Sequence, residues 1–524
     1  MNLITREMRN RKHLRLNLLI DGLMIGVLVG WVITAYRLSI AWAGEWVRGL
    51  LAGAGSVPGA FLYLSVMLVM GVGAGLCLRL SPLISGSGIP QVSAQLAGRL
   101  RARWQSVLPF KLIGGVLTLG GGLTLGREGP SVQVGAAVGQ AFGDLVRRPV
   151  SERRFLISCG GAAGLAAAFN APIAGVVFAL EELHRNFSPV VLISATAAAF
   201  AGVFVSATVF GVAPVLQVVG NIVLPLKYYW SVIVLGVATG LSGVLFNRCI
   251  LWGKALYARF NALWQPAWLW CGIAPFALVA AVCCAFPALS GSGEPMIFFA
   301  ASGNNPPLWQ LAAFYAAKLA LLTLCFGSGL PGGVFFPLLV LGSLVGNALG
   351  TALASAGLME PQYVVALALM AMTGHFSAIV RSPLTGILLV SEMTGSFAFM
   401  LPLGIVAMIS YGVAERLHST PIYESLQRLL PLSKRGGMKS LASRDRMLME
   451  FGVEPLSPAD GKLIETLLWP QDALIIAIRR GSGEIVPHGN VRIRNGDYLV
   501  LLLSREDLAE QEAYLERLTR AEVG

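Results

Sequence analysis

Arg127 and Glu128 stand between glycines and a proline in Gly126-Arg127-Glu128-Gly129-Pro130, inside a long stretch that is otherwise nearly apolar. An ionised side chain at the centre of a bilayer costs about 2.5 to 3.5 kcal/mol on insertion scales, so Glu128 is expected to face protein or a water-filled cavity, where it can take up and release protons. The glycines and the proline interrupt regular helix, and irregular backbone at membrane depth is tolerated only where it is buried in protein or lines a cavity. The plainer alternative is a helix break in which Arg127 and Glu128 neutralise each other. A second polar break is Ser85-Gly86-Ser87-Gly88-Ile89-Pro90. It leaves backbone N–H groups and hydroxyls without intrahelical partners, and such helix ends suit an anion. Broken membrane helices hold anionic substrates in this way, although a simple turn between helices would read the same.

The elements that carry these breaks belong to a polytopic membrane protein. Of 524 residues, 55% are hydrophobic and 13% charged, and mean hydropathy is +0.70, outside the range of soluble domains. The net charge of +12 comes from Lys and Arg gathered at the N-terminus and after residue 430, which reads as cytoplasmic flanks and not as a nucleic-acid surface. The seven cysteines and five histidines form no paired metal spacing and no HExxH, so no metal site and no cofactor is expected, and the cysteines read as packing residues. Gly327, Gly329 and Gly332 spell GxGxxG, but no strand, helix and acid of a dinucleotide-binding unit surround them. Residues 1–15 carry Arg6, Arg9, Arg11, Lys12 and Arg15 ahead of an apolar run over residues 18–36. That run is long enough to span a membrane, so it is expected to be retained as a helix rather than cleaved as a signal peptide, with the N-terminus cytoplasmic.

The chain also repeats itself. KLIGGVLTLGGGLTLGREGP, residues 111–130, aligns without a gap on KLALLTLCFGSGLPGGVFFP, residues 318–337, and the glycines at 135, 139 and 143 match those at 342, 346 and 350. Upstream, Gly86-Ser87-Gly88-Ile89-Pro90 matches Gly291-Ser292-Gly293-Glu294-Pro295; downstream, Pro172, Gly175 and Glu181 match Pro383, Gly386 and Glu392. Duplicated halves with broken helices are typical of transporters whose substrate site lies where the repeats meet. The acids belong to one half only: Glu128 aligns with Phe335, and Glu182 with Met393. Glu181 and Glu182 also read as a solvated helix end beside His184 and Arg185, and Tyr423 as an interfacial aromatic.

The motifs GSGIP (residues 86–90), GREGP (126–130) and GVFFP (333–337), in that order and followed by Tyr423, resemble the ClC family of chloride channels and proton/chloride antiporters over residues 15–430. The stretch AGLAAAFNAPIAGVVFALEEL, residues 163–183, adds to the match. The resemblance implies an all-α membrane domain of two inverted halves, assembled as a homodimer with one pathway per subunit. It implies that Ser87 and Tyr423 offer hydroxyls to a central chloride, with the backbone N–H groups of Val334 and Phe335 close to the same ion. Glu128 would be the gating glutamate and Glu182 the internal proton relay, an acid that favours an antiporter over a passive channel. Ser87 favours chloride, since nitrate-preferring relatives tend to carry proline there and the fluoride branch a different motif. Phe336 departs from the family pattern, where a smaller residue is common; it either narrows the outer passage or repacks.

The expected domains are a cytoplasmic segment over 1–15, the membrane domain over 16–426 with repeats at about 60–210 and 270–415, a basic linker over 427–450, and a small α+β cytoplasmic domain over 451–524. The linker, with Lys434, Arg435, Lys439, Arg444 and Arg446, suits anionic lipid headgroups. Residues 473–478 and 498–503 read as short buried strands, and Ser504 with Asp507 as the cap of a final amphipathic helix. Residues 473–503 resemble the C-terminal half of potassium-conductance regulator (TrkA-type) domains, some of which dimerise and bind a small ligand such as a cyclic dinucleotide. Arg479, Arg480, His488 and Arg492 are the phosphate-binding candidates there; solvated charge is the plainer reading. The whole is expected in a bacterial inner membrane with both termini cytoplasmic, as an antiporter and not an enzyme. The alternatives are a passive chloride channel, or a ligand-sensing accessory protein acting through its tail.

Overall fold

The computed structural model describes residues 3–185, 187–216, 224–299, 306–430, 446–470, 473–481, 483–504 and 508–520. Two compact units divide the chain, Met1–Ser433 and Lys434–Gly524.

The first half of the membrane unit runs through α1 (Leu3–Gly53), α2 (Val57–Leu80), α3 (Ile89–Leu96), α4 (Trp104–Gly120), α5 (Glu128–Leu145), α6 (Val150–Phe169), α7 (Pro172–Phe178) and α8 (Pro189–Phe210). The second half repeats the order as α9 (Tyr229–Leu263), α10 (Ala267–Ala285), a 3-10 turn over Glu294–Phe298, α11 (Leu308–Gly327), α12 (Phe335–Ser355), α13 (Val364–Val380), α14 (Pro383–Thr394) and α15 (Met400–Arg416). A short α16 (Ile422–Arg428) closes the unit. Among the described residues, eight helical segments are long and apolar enough to cross a membrane, as the composition requires. α1 is continuous from Leu3, so residues 3–15 run on into the first membrane helix and are not a separate backbone segment. Its Arg, Lys, Leu and Met residues are good helix formers, and nothing in the stretch breaks the helix.

The halves are inverted. Gly126 and Gly333, equivalent in the repeat, bond to each other in an antiparallel bridge, each N–H donating to the other's carbonyl at 2.7 Å. Equivalent residues can exchange bonds in this way only about a two-fold axis. The same symmetry governs the neighbouring bonds: Gly86 N donates to Gly329 O at 3.1 Å, and Gly291 N to Gly122 O at 2.8 Å. It also explains a pair of acids. Glu392, at the end of α14, accepts from Ile173 N at 3.0 Å and Ala174 N at 2.7 Å, capping α7. Glu181, at the end of the α7 segment, accepts from Leu384 N at 3.3 Å and Thr385 N at 2.8 Å, capping α14. Each half thus supplies the carboxylate that satisfies the other half's free N–H groups.

Close packing at the centre depends on small residues. α5 and α6 cross where a Cβ on Gly135 would collide with Gly160 O, and one on Gly160 with Gly135 O. Such approach lets membrane helices associate without a hydrophobic driving force. α13 is buried over nearly its whole length, from Val364 to Val380.

The C-terminal unit is an antiparallel sheet of β1 (Arg446–Gly452), β2 (Leu474–Arg480), β3 (Gly483–Ile485) and β4 (Asp497–Ser504) in the order β1-β4-β2-β3, with α17 (Leu508–Thr519). The two strands expected from sequence are β2 and β4. β1 opens at Arg446 and α16 continues to Arg428, so the linker is shorter than the expected 427–450. Alternation in Met447-Leu448-Met449-Glu450-Phe451 is weak alone, and full-length pairing with β4 decides it. Phe451, Ile478, Leu499, Leu501, Leu503 and Leu515 form the core. The expected cap includes Asp507, and the linker's Lys434, Arg435, Lys439 and Arg444; these five lie outside the described residues.

Candidate functional site

Three backbone breaks converge where the halves meet. Gly129 is the common neighbour. A Cβ there would stand 2.8 Å from Ser87 Cβ, and a Cβ on Gly333 would stand 3.2 Å from Gly129 N. The Ser87 loop, the start of α5 and the start of α12 therefore pack backbone against backbone, which only glycine permits. Lysines hold the breaks in shape. Lys111 Nζ donates to Ile84 O and Gly86 O, both at 2.7 Å, and its repeat mate Lys318 donates to Leu289 O and Gly291 O, both at 2.7 Å. These two lysines opened the repeat alignment in the sequence, but a cation in an apolar helix gave no hint that it binds carbonyls of a neighbouring turn.

Lys111→Met strands two buried carbonyls, at roughly 1 to 3 kcal/mol for each group left unpaired. We expect it to lower the unfolding temperature of the detergent-solubilised protein and to reduce chloride turnover, because the loop it holds carries Ser87. Lys318→Met should lower the unfolding temperature similarly with a smaller loss of turnover; thermal unfolding and flux on both variants check this.

Ser87 and Tyr423 are 2% exposed, and neither Ser87 Oγ nor Tyr423 OH finds a hydrogen-bond partner among the described residues. Buried hydroxyls seldom stay unpaired, and each one that does calls for an explanation. Val334 and Phe335 are fully buried at the first turn of α12. The Phe335 ring is clamped by Phe169, Phe178 and Phe376, with centroids 5.3, 6.0 and 4.9 Å away.

Glu128 begins α5 and is 2% exposed. A Cβ built on Gly126 would meet both Glu128 Oε2 and Phe336 N, so the carboxylate lies beside the start of α12, and Glu128 Oε2 has no hydrogen-bond partner among the described residues. Arg127 Nε is 3.9 Å from Glu128 Oε1, an ion pair longer than a hydrogen bond, so Arg127 offsets part of the carboxylate's charge without tying it down. A cavity of about 90 Å³ is lined by Arg127, Glu128, Ser292, Glu294 and Phe336. Phe336 also stacks on Phe169 at 6.2 Å. A separate cavity of about 140 Å³ is lined by Ser85, Gly86, Ser87, Gln91, Lys254 and Leu426, among others. Tyr423, Val334 and Phe335 line neither cavity, whereas Leu426, Ser87 and Phe336 beside them do.

Glu182 lies on a π-helical turn over Ala179–His184 that continues α7. The wider turn gives adjacent acids different surroundings: Glu181 caps α14, while Glu182, 3% exposed, receives a hydrogen bond from Ser382 Oγ at 3.1 Å and faces Arg185 at 3.6 Å. Arg185 also reaches Glu424, one residue after Tyr423, at 3.6 Å. Sequence left open whether both acids were solvated; both are engaged.

The tail's candidate arginines have partners of their own. Arg480 makes a two-pronged pair with buried Asp497 at 2.7 and 2.8 Å, Arg479 meets Glu450 at 2.6 Å, and Arg492 donates to Gly461 O at 2.7 Å. Structural pairing accounts for these three charges without a phosphate.

An inverted pair of membrane halves, broken at their junction around buried hydroxyls and one acid, defines a membrane transport protein and not an enzyme. A family model described as voltage gated chloride channel matches residues 66–415, and a TrkA-C domain model matches residues 448–516. The chain belongs to the voltage-gated chloride channel (CLC) family. It is 36% identical over 436 residues to the H(+)/Cl(-) exchange transporter ClcA of Citrobacter koseri, covering 81% of this chain and 90% of the relative. It is 36% identical over 434 residues to the ClcA of Salmonella typhi, covering 80% and 90%. Among solved structures, a slow cyanobacterial Cl-/H+ antiporter superposes with a TM-score of 0.73 at 30% identity over 79% of this chain and 97% of that one. A CLC-type fluoride/proton antiporter superposes at 0.63 with 26% identity, covering 78% and 96%.

Proposed function

We propose that this chain exchanges protons for chloride, with Glu128 as the gate and Glu182 as the internal proton relay. The observation that carries this reading is the pair of buried, unpartnered hydroxyls, Ser87 Oγ and Tyr423 OH, the first on the loop that packs against the starts of α5 and α12 and the second on α16. Hydroxyls and the backbone N–H groups of Val334 and Phe335 donate to a weakly basic halide without a fixed charge that would trap it. Glu128 competes for the same ground: ionised, it takes the helix-end position; protonated, it loses that attraction and chloride enters. Arg185 meets both Glu182 and Glu424, the residue after Tyr423, which links the relay to the helix that carries the hydroxyl. The exchange activity named for the ClcA relatives and the cyanobacterial structure supports the reading. A homodimer in a bacterial inner membrane with both termini cytoplasmic completes the proposal, resting on the family resemblance and the basic N-terminal flank.

The test is proton movement in proteoliposomes driven by a chloride gradient with the voltage controlled. We expect protons to move uphill in the wild type. Chloride flux with no accompanying proton movement would leave a passive channel.

A further inference from the structure

The loop Ser290-Gly291-Ser292-Gly293-Glu294-Pro295 repeats Ser85-Gly86-Ser87-Gly88-Ile89-Pro90 at every position but one. Where the first half has Ile89, the second has Glu294. Ile89 is fully buried in the apolar core, so a hydrocarbon side chain satisfies the packing at this position. Glu294 is only partly buried and lines the cavity of about 90 Å³ that Glu128, Arg127 and Ser292 also line. An ionisable group among membrane helices that packing does not require is a functional candidate.

The backbone that carries Glu294 is pinned. Lys318 Nζ donates to Leu289 O and Gly291 O, both at 2.7 Å, and Gly291 N donates to Gly122 O at 2.8 Å. Gly293 has φ +91°, a left-handed conformation that glycine adopts without strain, and a Cβ on it would stand 3.0 Å from Lys318 Cε. The 3-10 turn over Glu294–Phe298 starts directly after it. On the same cavity, Glu128 Oε2 is buried and has no hydrogen-bond partner among the described residues. Arg127, 3.9 Å from Glu128 Oε1, is the one cation among the described lining residues. Two carboxylates, a guanidinium and a hydroxyl make the cavity polar, and it is roomy enough for water.

We infer that Glu294 is the next proton acceptor after Glu128: it takes the proton that the gate gives up and hands it to solution. The transfer balances within the cavity. The O–H bond of protonated Glu128 breaks, the proton passes directly or along water to a carboxylate oxygen of Glu294, and Glu128 is left ionised. The Glu294 acid then loses the proton to bulk water. Arg127 favours the step because it stands beside the carboxylate that regains its charge. Without an acceptor on the cavity, the gate would depend on bulk water reaching an acid that is 2% exposed. This rests on the proton-exchange reading above and adds the group that receives the proton.

The experiment drives exchange with a chloride gradient in proteoliposomes bearing the full chain and records chloride and proton movement together. Glu294→Gln should slow coupled exchange about tenfold with the ratio of protons to chloride unchanged, because Glu128 still binds its proton in every cycle. Glu294→Asp keeps a carboxylate and should recover most of the rate. In Glu128→Gln the gate has no proton to pass on, so adding Glu294→Gln should not slow chloride further. Wild-type exchange in Glu294→Gln overturns the inference, as does an Asp variant as slow as the Gln variant. An equal slowing of chloride in both backgrounds also overturns it, since that marks a role in anion passage or folding. A wild type that moves chloride without protons overturns this inference and the exchange reading together, whereas intact exchange with an indifferent Glu294 overturns this inference alone.

Discussion

Replacing Glu128 with alanine should abolish chloride-driven proton movement, down to the level of empty liposomes, while chloride flux continues. The side chain is buried beside the starts of α5 and α12, where the proposed exchange puts the entering anion. Two unit negative charges 4 Å apart repel by about 4 kcal/mol at an effective dielectric of 20, roughly a thousandfold in occupancy. In the proposed mechanism an ionised Glu128 and chloride therefore exclude each other, and binding a proton to the acid admits the anion. Alanine removes the competitor and the proton carrier together: chloride loses its gate and protons lose their vehicle. Glu128→Gln separates the effects of shape and charge. It keeps the side chain but cannot titrate, so it too should carry no protons. Proton transport at wild-type rate in either variant would remove Glu128 from the pathway. The measurement is simultaneous chloride efflux and pH recording on the same vesicles.

The breaks and the duplication are legible in the sequence because they use residues with strong local meaning. Glycine and proline at fixed offsets in both halves mark where helices must stop and backbones must touch. The site's acids stand out because ionisable groups are rare in apolar stretches. The inversion is not legible. It is visible only in reciprocal bonds such as Gly126 with Gly333 and in the crossed caps of Glu181 and Glu392, which join residues about two hundred positions apart. Sequence alone matches Glu181 with Glu392 and also reads it, with Glu182, as a solvated helix end. The crossed capping explains why it repeats. Arg37 follows the first apolar run and belongs to no motif. In the fold its guanidinium donates to Ala167 O at 2.8 Å and Ser206 Oγ at 2.9 Å, tying α1 to α6 and α8. In the tail, β2 and β4 are dense in β-branched and leucine residues and were readable, whereas β1 and the three-residue β3 depend on partners that only the fold supplies.

The symmetry and its violations divide the labour. What is repeated in both halves, the lysine clamps, the crossed caps and the glycine bridge, builds the junction. What is not repeated, Glu128, Glu182 and Tyr423, is where a direction for protons can be defined, because a fully symmetric junction would treat both ends alike. α16, which carries Tyr423, follows both repeats, and among the described residues no α-helix stands between α8 and α9 as its counterpart. The unpaired helix delivers the unpaired hydroxyl.

That division yields the second large effect: Glu182→Gln should stop proton movement and spare chloride flux, whereas the neighbouring Glu181→Gln should cost stability and leave the coupling intact. Glu182 accepts from Ser382 Oγ at 3.1 Å, and glutamine can keep a hydrogen bond there with little change of volume, so the fold and the chloride site should survive. What glutamine cannot do is bind and release a proton in this pH range. Protons entering near Arg185 and Glu424 then have no acceptor from which to reach Glu128. Glu181 satisfies the N–H groups of Leu384 and Thr385 and the hydroxyl of Thr385. Neutralising it weakens charge-assisted bonds at the start of α14, so Glu181→Gln should lower the unfolding temperature by several degrees and leave the ratio of protons to chloride unchanged. Ratio and unfolding temperature measured on both variants discriminate fully. If Glu181→Gln uncouples and Glu182→Gln does not, the relay runs through the other acid of the π-helical turn, and the capping carboxylate has the transport role instead.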